Sequence, residues 1–277
     1  MGCSALVLDR SFSDAVMHWL THINPLYSLS GLAVGILVGL TGVGGGSLMT
    51  PLLVLLFGIH PSTAVGTDLL YAAATKSVGT AVHGWKRTVQ WSIVARLAIG
   101  SVPTTILTLW FLSQSKQSTS VNAVITTALG WALIVTAVAI LFRKAIVAYV
   151  LAKTKELGPG KATGLTILLG AVLGVLVALT SVGAGALGMT VLLILYPKMD
   201  VAKLVGSDIA HAVPLTLLAG VGHWMMGSVN WELLASLLTG SIPGIILGSL
   251  LAARTPDGVL RPVLAGTLAL VGGKLLT

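Results

Sequence analysis

From residue 25 to residue 276 the chain is a nearly continuous succession of apolar segments: 25–41, 47–57, 62–84, 91–112, 120–142, 162–181, 186–196, 204–226, 231–252 and 258–276. Most approach the ~20 residues a helix needs to cross a hydrocarbon core about 30 Å thick. Two of them, 47–57 and 186–196, are about half that length. Lipid leaves no backbone N–H or C=O unsatisfied, so these segments are predicted to be helical. Charged side chains make up only 9% of the 277 residues, against roughly 25% in soluble domains. Too little polar surface remains for a soluble enzyme, a nucleic-acid binder or a disordered chain. One cysteine, Cys3, excludes an intramolecular disulfide framework. The predicted class is an all-α polytopic membrane protein. In that setting the net charge of +8 is read as topology-setting loops and attraction to anionic lipid, not as a nucleic-acid surface. Residues 1–24 carry Asp9, Arg10, Asp14, His18 and His22. Their apolar run at 5–8 is too short for a signal-peptide core, which predicts a tail or an interfacial helix.

The chain repeats itself. The stretch TGVGGG at 41–46 matches TSVGAG at 180–185, and residues 60–107 match 200–247 at an offset of 140, with 14 of 48 positions identical. Apolar identities are expected by chance in such a composition. Gly66/Gly206, Asp68/Asp208, His83/His223, Trp91/Trp231 and the shared Gly-Ser-x-Pro at 100–103 and 240–243 are not. Duplicated halves that build a site between them are a common transporter plan. The expected organisation is a first transmembrane repeat at 25–142, a basic linker loop at 143–161 and a second repeat at 162–277.

Each half opens with an element interrupted by glycine. As one helix, residues 25–57 would be roughly 50 Å long, and Gly42, Gly44, Gly45 and Gly46 weaken it in the middle. Either the broken element crosses once, which makes the halves parallel, or its two limbs form a re-entrant hairpin, which inverts them. Of the 16 Lys and Arg, Lys76 and Arg96 lie inside spans. A single crossing divides the other fourteen nine to five, and the hairpin divides them eleven to three. The sharper polarity of the hairpin favours inverted halves.

Three groups of residues can carry chemistry. The first is the pair of glycine breaks, 42–47 and 181–186. A helix that starts after such a break exposes backbone N–H groups and the positive end of its dipole, which suits an anion. Thr41, Gly44, Gly45, Gly46 and Ser47 in one break, and Thr180, Ser181, Gly183 and Gly185 in the other, are the candidate substrate-binding residues. Thr50 and Thr190 add nearby hydroxyls. Close helix packing is the competing reading of the glycines. The second group is Asp68 and Asp208, intramembrane carboxylates that must be paired, protonated or hydrated. His211 follows Asp208 by three residues and Lys76 follows Asp68 by eight, each on the same helical face. Asp68, Asp208 and His211 are candidates for proton coupling, with a structural polar lock as the alternative. Lys76 is a candidate anion partner, and Thr216 stands at its equivalent position. The third group, His83 and His223, falls near helix ends beside Trp85 and Trp224 and is read as structural, at the membrane border. Arg96 either snorkels or reaches an anion path, and Pro103 and Pro243 are expected to kink matching helices. No P-loop, nucleophile elbow or His-Glu-x-x-His spacing occurs, which argues against an enzyme and a zinc or iron site; no cofactor is expected.

The run GLTGVGGG at 39–46, PLL at 51–53 and PSTAVGTD at 61–68, followed by Lys76 and His83, resembles the first half of the sulfite exporter TauE/SafE family of membrane transporters. Gly183, Gly185, Gly206, Asp208, His211 and the Gly-Ser-x-Pro-Gly at 240–244 resemble its second half. The second break departs from the family's fuller glycine form, with Ala184 between its glycines. The resemblance covers about 29–276 and implies movement of a sulfur-containing oxyanion or organosulfonate across the bacterial cytoplasmic membrane. The expected partners are a small anionic substrate and the lipid bilayer, with protons as the candidate coupling partner through the aspartates and a homodimer left open. The residues independently suit an oxyanion held by helix N-termini, hydroxyls and Lys76. The alternatives are a passive anion channel, an intramembrane enzyme and an assembly partner that binds no anion.

Overall fold

The computed structural model describes residues 24–41, 46–85, 87–114, 119–153, 158–251 and 257–276. Every regular element among them is a helix. In order they are α1 (Pro25–Thr41), α2 (Gly46–Phe57), α3 (Pro61–Trp85), α4 (Trp91–Gln114), α5 (Thr119–Lys153), α6 (Pro159–Thr180), α7 (Ala186–Leu195), α8 (Val201–Met225), α9 (Trp231–Leu251) and α10 (Asp257–Leu276). Five helices are long and apolar enough to cross a membrane: Trp91–Gln114, Asn122–Lys153, Pro159–Thr180, Val201–Met225 and Trp231–Gly248. The tail 1–23 and the first glycine break at 42–45 lie outside the described residues.

Local chemistry sets the starts of these helices. Proline opens α1, α3 and α6, where its missing N–H has no intrahelical partner to lose. Asp200 caps α8 by accepting from Ala202 N at 3.1 Å. Asn24 and Asn230 accept from Leu26 N at 2.9 Å and Leu233 N at 3.0 Å, each satisfying a donor that the first helical turn leaves open. One boundary differs from the sequence reading. The interval expected to be a loop from 143 is helical through Lys153, so α5 has 35 residues and is about 52 Å long. Apolar residues resume at Ala145 and nothing between 143 and 153 breaks a helix. Charge alone marked that stretch as loop, and charge does not stop a helix that leaves the hydrocarbon core.

The packing interleaves the two repeats. α1 of the first half packs on α9 of the second, and α6 of the second packs on α4 of the first. Glycines make both contacts in the same register. A Cβ added at Gly31 would lie 2.3 Å from Leu237 O, and one at Gly170 would lie 2.1 Å from Leu97 O. Gly240 meets Ser28 O at 1.8 Å and Gly100 meets Ile167 O at 1.9 Å on the same measure. These are repeat-related pairs, so one backbone-to-backbone contact is used twice. Hydroxyls reinforce it: Ser28 Oγ donates to Ser236 O at 2.9 Å and Thr104 Oγ1 to Ala171 O at 3.0 Å. α3 and α8, which carry the two intramembrane aspartates, pack against each other. There, too, the contacts are duplicated. Gln90 N donates to Ser207 Oγ at 2.8 Å, and Asn230 N donates to Thr67 Oγ1 at 3.1 Å. α5 packs on α10. The largest buried apolar cluster gathers α3, α4, α6, α7 and α8 around Leu69, Leu97, Leu173, Leu192 and Leu215.

Candidate functional site

The second glycine break is the best-defined irregular backbone in the interior. α6 ends at Thr180, and Ser181 turns into the left-handed region at φ 58°. Gly183 and Gly185 follow at φ 118° and 116°, a conformation that a side chain makes strained. α7 restarts at Ala186 with Gly185 as its cap residue. Thr180 secures the corner. Its hydroxyl donates to Leu176 O at 2.6 Å and accepts from Val182 N at 3.1 Å. The segment is interior: Thr180 and Val182 are fully buried, and Ser181, Ala184 and Ala186 nearly so. Leu187 N and Gly188 N turn back to Gly183 O, but the N–H groups of Gly183, Ala184, Gly185 and Ala186 enter no turn or helix hydrogen bond. Four peptide donors, three of them buried and that of Gly185 half-buried, thus cluster at the positive end of α7.

Lys76 reaches this break from α3. Its ammonium donates to Ala184 O at 3.4 Å, and the residue is only 7% exposed. It sits in the field of both intramembrane carboxylates, Asp208 more strongly than Asp68. The sequence placed Lys76 by helical spacing beside Asp68 on its own helix. The tertiary fold gives it a second carboxylate and a peptide oxygen from the other repeat.

The two aspartates occupy repeat-equivalent places in unlike surroundings. Both are buried. Asp68 accepts a short hydrogen bond from Thr50 of α2 through Oδ2. Its Oδ1 lies beside the Ser181 hydroxyl, and neither makes a hydrogen bond of ordinary length. Asp208 faces Gly188 of α7 instead, so closely that a Cβ there would lie 2.5 Å from Asp208 Oδ1. Thr190, which stands in the second repeat where Thr50 stands in the first, gives its proton to Ala186 O at 2.7 Å. Asp208 lies in the fields of Lys76 and of Arg143 on α5. His211, expected beside Asp208, directs Nε2 at Ser101 of α4, 2.9 Å away. Its Nδ1 is buried without a partner.

The remaining candidates divide cleanly. His223 is buried and bonds Ala178 O at 2.9 Å, a structural tie between α8 and α6. Arg96 donates to Tyr196 Oη at 3.1 Å, and Tyr196 in turn meets Thr166 at 2.8 Å. Of the first break, Gly44 and Gly45 lie outside the described residues. Gly46 opens α2 and Thr41 closes α1, and the side chains of Thr41 and Ser47, like that of His83, are also outside them. Sequence reasoning missed Arg143, which was counted with the loops. It also missed the bond between His211 and Ser101, whose repeat-related positions are Tyr71 and Ser241.

An all-helical bundle of duplicated halves, with interrupted interior helices and buried charge at the interruption, is the architecture of a multi-pass membrane transporter. The chain belongs to the sulfite exporter TauE/SafE family, whose model matches residues 27–275. It is 41% identical over 250 residues to the probable membrane transporter protein YjnA of Bacillus subtilis, covering 90% of this chain and 98% of that one. It is 26% identical over 249 residues to the probable membrane transporter protein YdhB of the same organism, covering 88% and 96%. A probable membrane transporter protein of Xylella fastidiosa (strain Temecula1 / ATCC 700964) is 25% identical over 241 residues, covering 81% and 83%. No solved structure matches the chain at a significant level.

Proposed function

We propose that this chain is a secondary transporter that moves a sulfur-containing oxyanion or organosulfonate across the bacterial cytoplasmic membrane by alternating access. The observation that carries the reading is the second break: four uncommitted peptide N–H groups at the start of α7, with the Lys76 ammonium at Ala184 among them. Preorganised donors and one cation in a buried place suit a small oxyanion, because charge-assisted hydrogen bonds strengthen where water is excluded. In this mechanism the anion takes the Lys76 ammonium from Ala184 O and lies along the N–H groups of Gly183, Ala184, Gly185 and Ala186. If the two limbs of each break return to one side, the halves are inverted and the site lies near the midplane. Coupling to protons would run through Asp68, Asp208 and His211.

The packing constrains what moves. Backbone contact of α1 with α9 and of α6 with α4 argues against rocking of the halves as separate bodies. The moving units in this proposal are those interleaved pairs, sliding against α3 and α8. The reading is tested by a thermal-shift panel in detergent with sulfite, thiosulfate, sulfonates, sulfate and carboxylates, since a ligand that binds the folded state raises the melting temperature. Stabilisation by sulfite or a sulfonate, followed by counterflow in proteoliposomes, is expected. Stabilisation by none of the sulfur anions refutes the substrate class, and flux without counterflow favours the passive channel. Full pH-dependent transport in both Asp68→Asn and Asp208→Asn refutes the proton coupling.

A further inference from the structure

We infer that Asp68, Thr50 and Ser181 form a sodium-ion site at the C-terminal end of α6, separate from the oxyanion place at the start of α7. The inference deepens the transport reading and rests on it for the purpose of the ion, though not for binding itself. It adds sodium as the competitor of the proton at Asp68, while Asp208 and His211 carry protons alone.

Three observations converge on this place. Thr50 commits its proton to Asp68 Oδ2, which fixes the carboxylate and leaves the hydroxyl's lone pairs available. The other carboxylate oxygen, Oδ1, is buried next to the Ser181 hydroxyl, and the two attract each other without closing to a hydrogen bond of ordinary length, which leaves room for an ion to draw on both. Ser181 is the left-handed residue that closes α6. The end of that helix carries the negative pole of its dipole, and the carbonyls of Leu179 and Thr180 accept no hydrogen bond among the described residues. The available ligands are oxygens only, which suits a hard cation. A single carboxylate suits a monovalent one. Half-helix C-termini with unwound carbonyls hold coupling ions in membrane transporters for this physical reason.

Charge explains why the ion belongs at Asp68 and not at Asp208. Asp208 lies in the fields of Lys76 and Arg143 and has Gly188 where a hydroxyl would be needed. Lys76 is the cation that faces both carboxylates, and Asp208 holds it more strongly. An oxyanion that engages Lys76 draws that charge further from Asp68, so bound oxyanion strengthens a sodium site that exists without it. The two repeats therefore hold unlike ions at equivalent places.

The test uses the purified full chain in detergent with no oxyanion added. Sodium chloride is titrated against choline chloride at constant ionic strength while thermal unfolding is followed. A saturable rise in melting temperature with sodium alone is expected. Asp68→Asn should abolish it, Ser181→Ala should raise its midpoint at least tenfold, and Asp200→Ala, at the cap of α8, should retain it. Identical melting in sodium and choline overturns the inference, as does a sodium response that survives both Asp68→Asn and Ser181→Ala. If Asp68→Asn does not fold, an unchanged midpoint in Ser181→Ala is sufficient to overturn it. The oxyanion panel is run separately. Loss of the anion response in the wild type refutes the substrate reading while the sodium titration still reports on this site.

Discussion

Replacing Gly100 or Gly240 by alanine isolates the contact that interleaves the repeats. At either position the new Cβ would lie 1.9 Å or 1.8 Å from a backbone carbonyl oxygen, of Ile167 or Ser28. An ordinary carbon–oxygen contact is longer by more than 1 Å, and the obstacle is main chain, which cannot rotate away. The helix pair must part, and overpacking of this kind costs about 1–3 kcal/mol. Partial loss of the hydroxyl bonds from Ser28 and Thr104 places these variants toward the upper end. For a chain of this size that corresponds to a fall in melting temperature of roughly 5–10 °C. Gly164→Ala is the control, since its added Cβ meets nothing within 4 Å. It should be neutral or gain up to about 1 kcal/mol from helix propensity. The assay is thermal unfolding in one detergent at matched concentration. Gly100→Ala and Gly240→Ala should be alike because the two positions are repeat-related. Melting of both within a degree of Gly164→Ala would falsify the claim that backbone contact at these glycines locks α4 to α6 and α9 to α1.

Lys76→Gln should weaken binding of the stabilising oxyanion about 10–100-fold, the loss of one charge-assisted hydrogen bond; titration calorimetry checks it, and unchanged affinity removes Lys76 from the site. Gly185→Ala places a side chain at φ 116°, which should cost about 1–3 kcal/mol and disturb the start of α7, so that both melting temperature and anion binding fall. Asp200→Ala removes the cap bond to Ala202 N and should cost about 1 kcal/mol with anion affinity unchanged, separating stability from the site. Because the anion place is buried, its affinity should change little between 0.05 and 0.5 M of a non-binding salt, where exposed charges are screened within roughly 10 Å or less; a steep salt dependence would put the anion at the surface.

The sequence by itself determined that the chain is helical and membrane-bound, where its helices run and that it is duplicated. The ten apolar segments predict the ten helices among the described residues to within a few residues at nearly every end. The reason is that lipid admits no alternative to a helix, and glycine, proline and polar residues mark the ends locally. It also supplied Lys76, Asp68, Asp208 and the second break, because a charge in an apolar helix and a repeated run of glycines stand out without any knowledge of contacts. Partnership was decided only by the tertiary structure. Which helix α1 grips, why Lys76 meets Ala184 of the other repeat, why Asp68 has Thr50 while Asp208 has Gly188, and how Arg143 comes into the field of Asp208 depend on packing between segments separated by tens to hundreds of residues. Helical periodicity orders only neighbours three or four positions apart, so it says nothing about such contacts. Two halves alike in sequence became unlike in chemistry only once they were folded against each other.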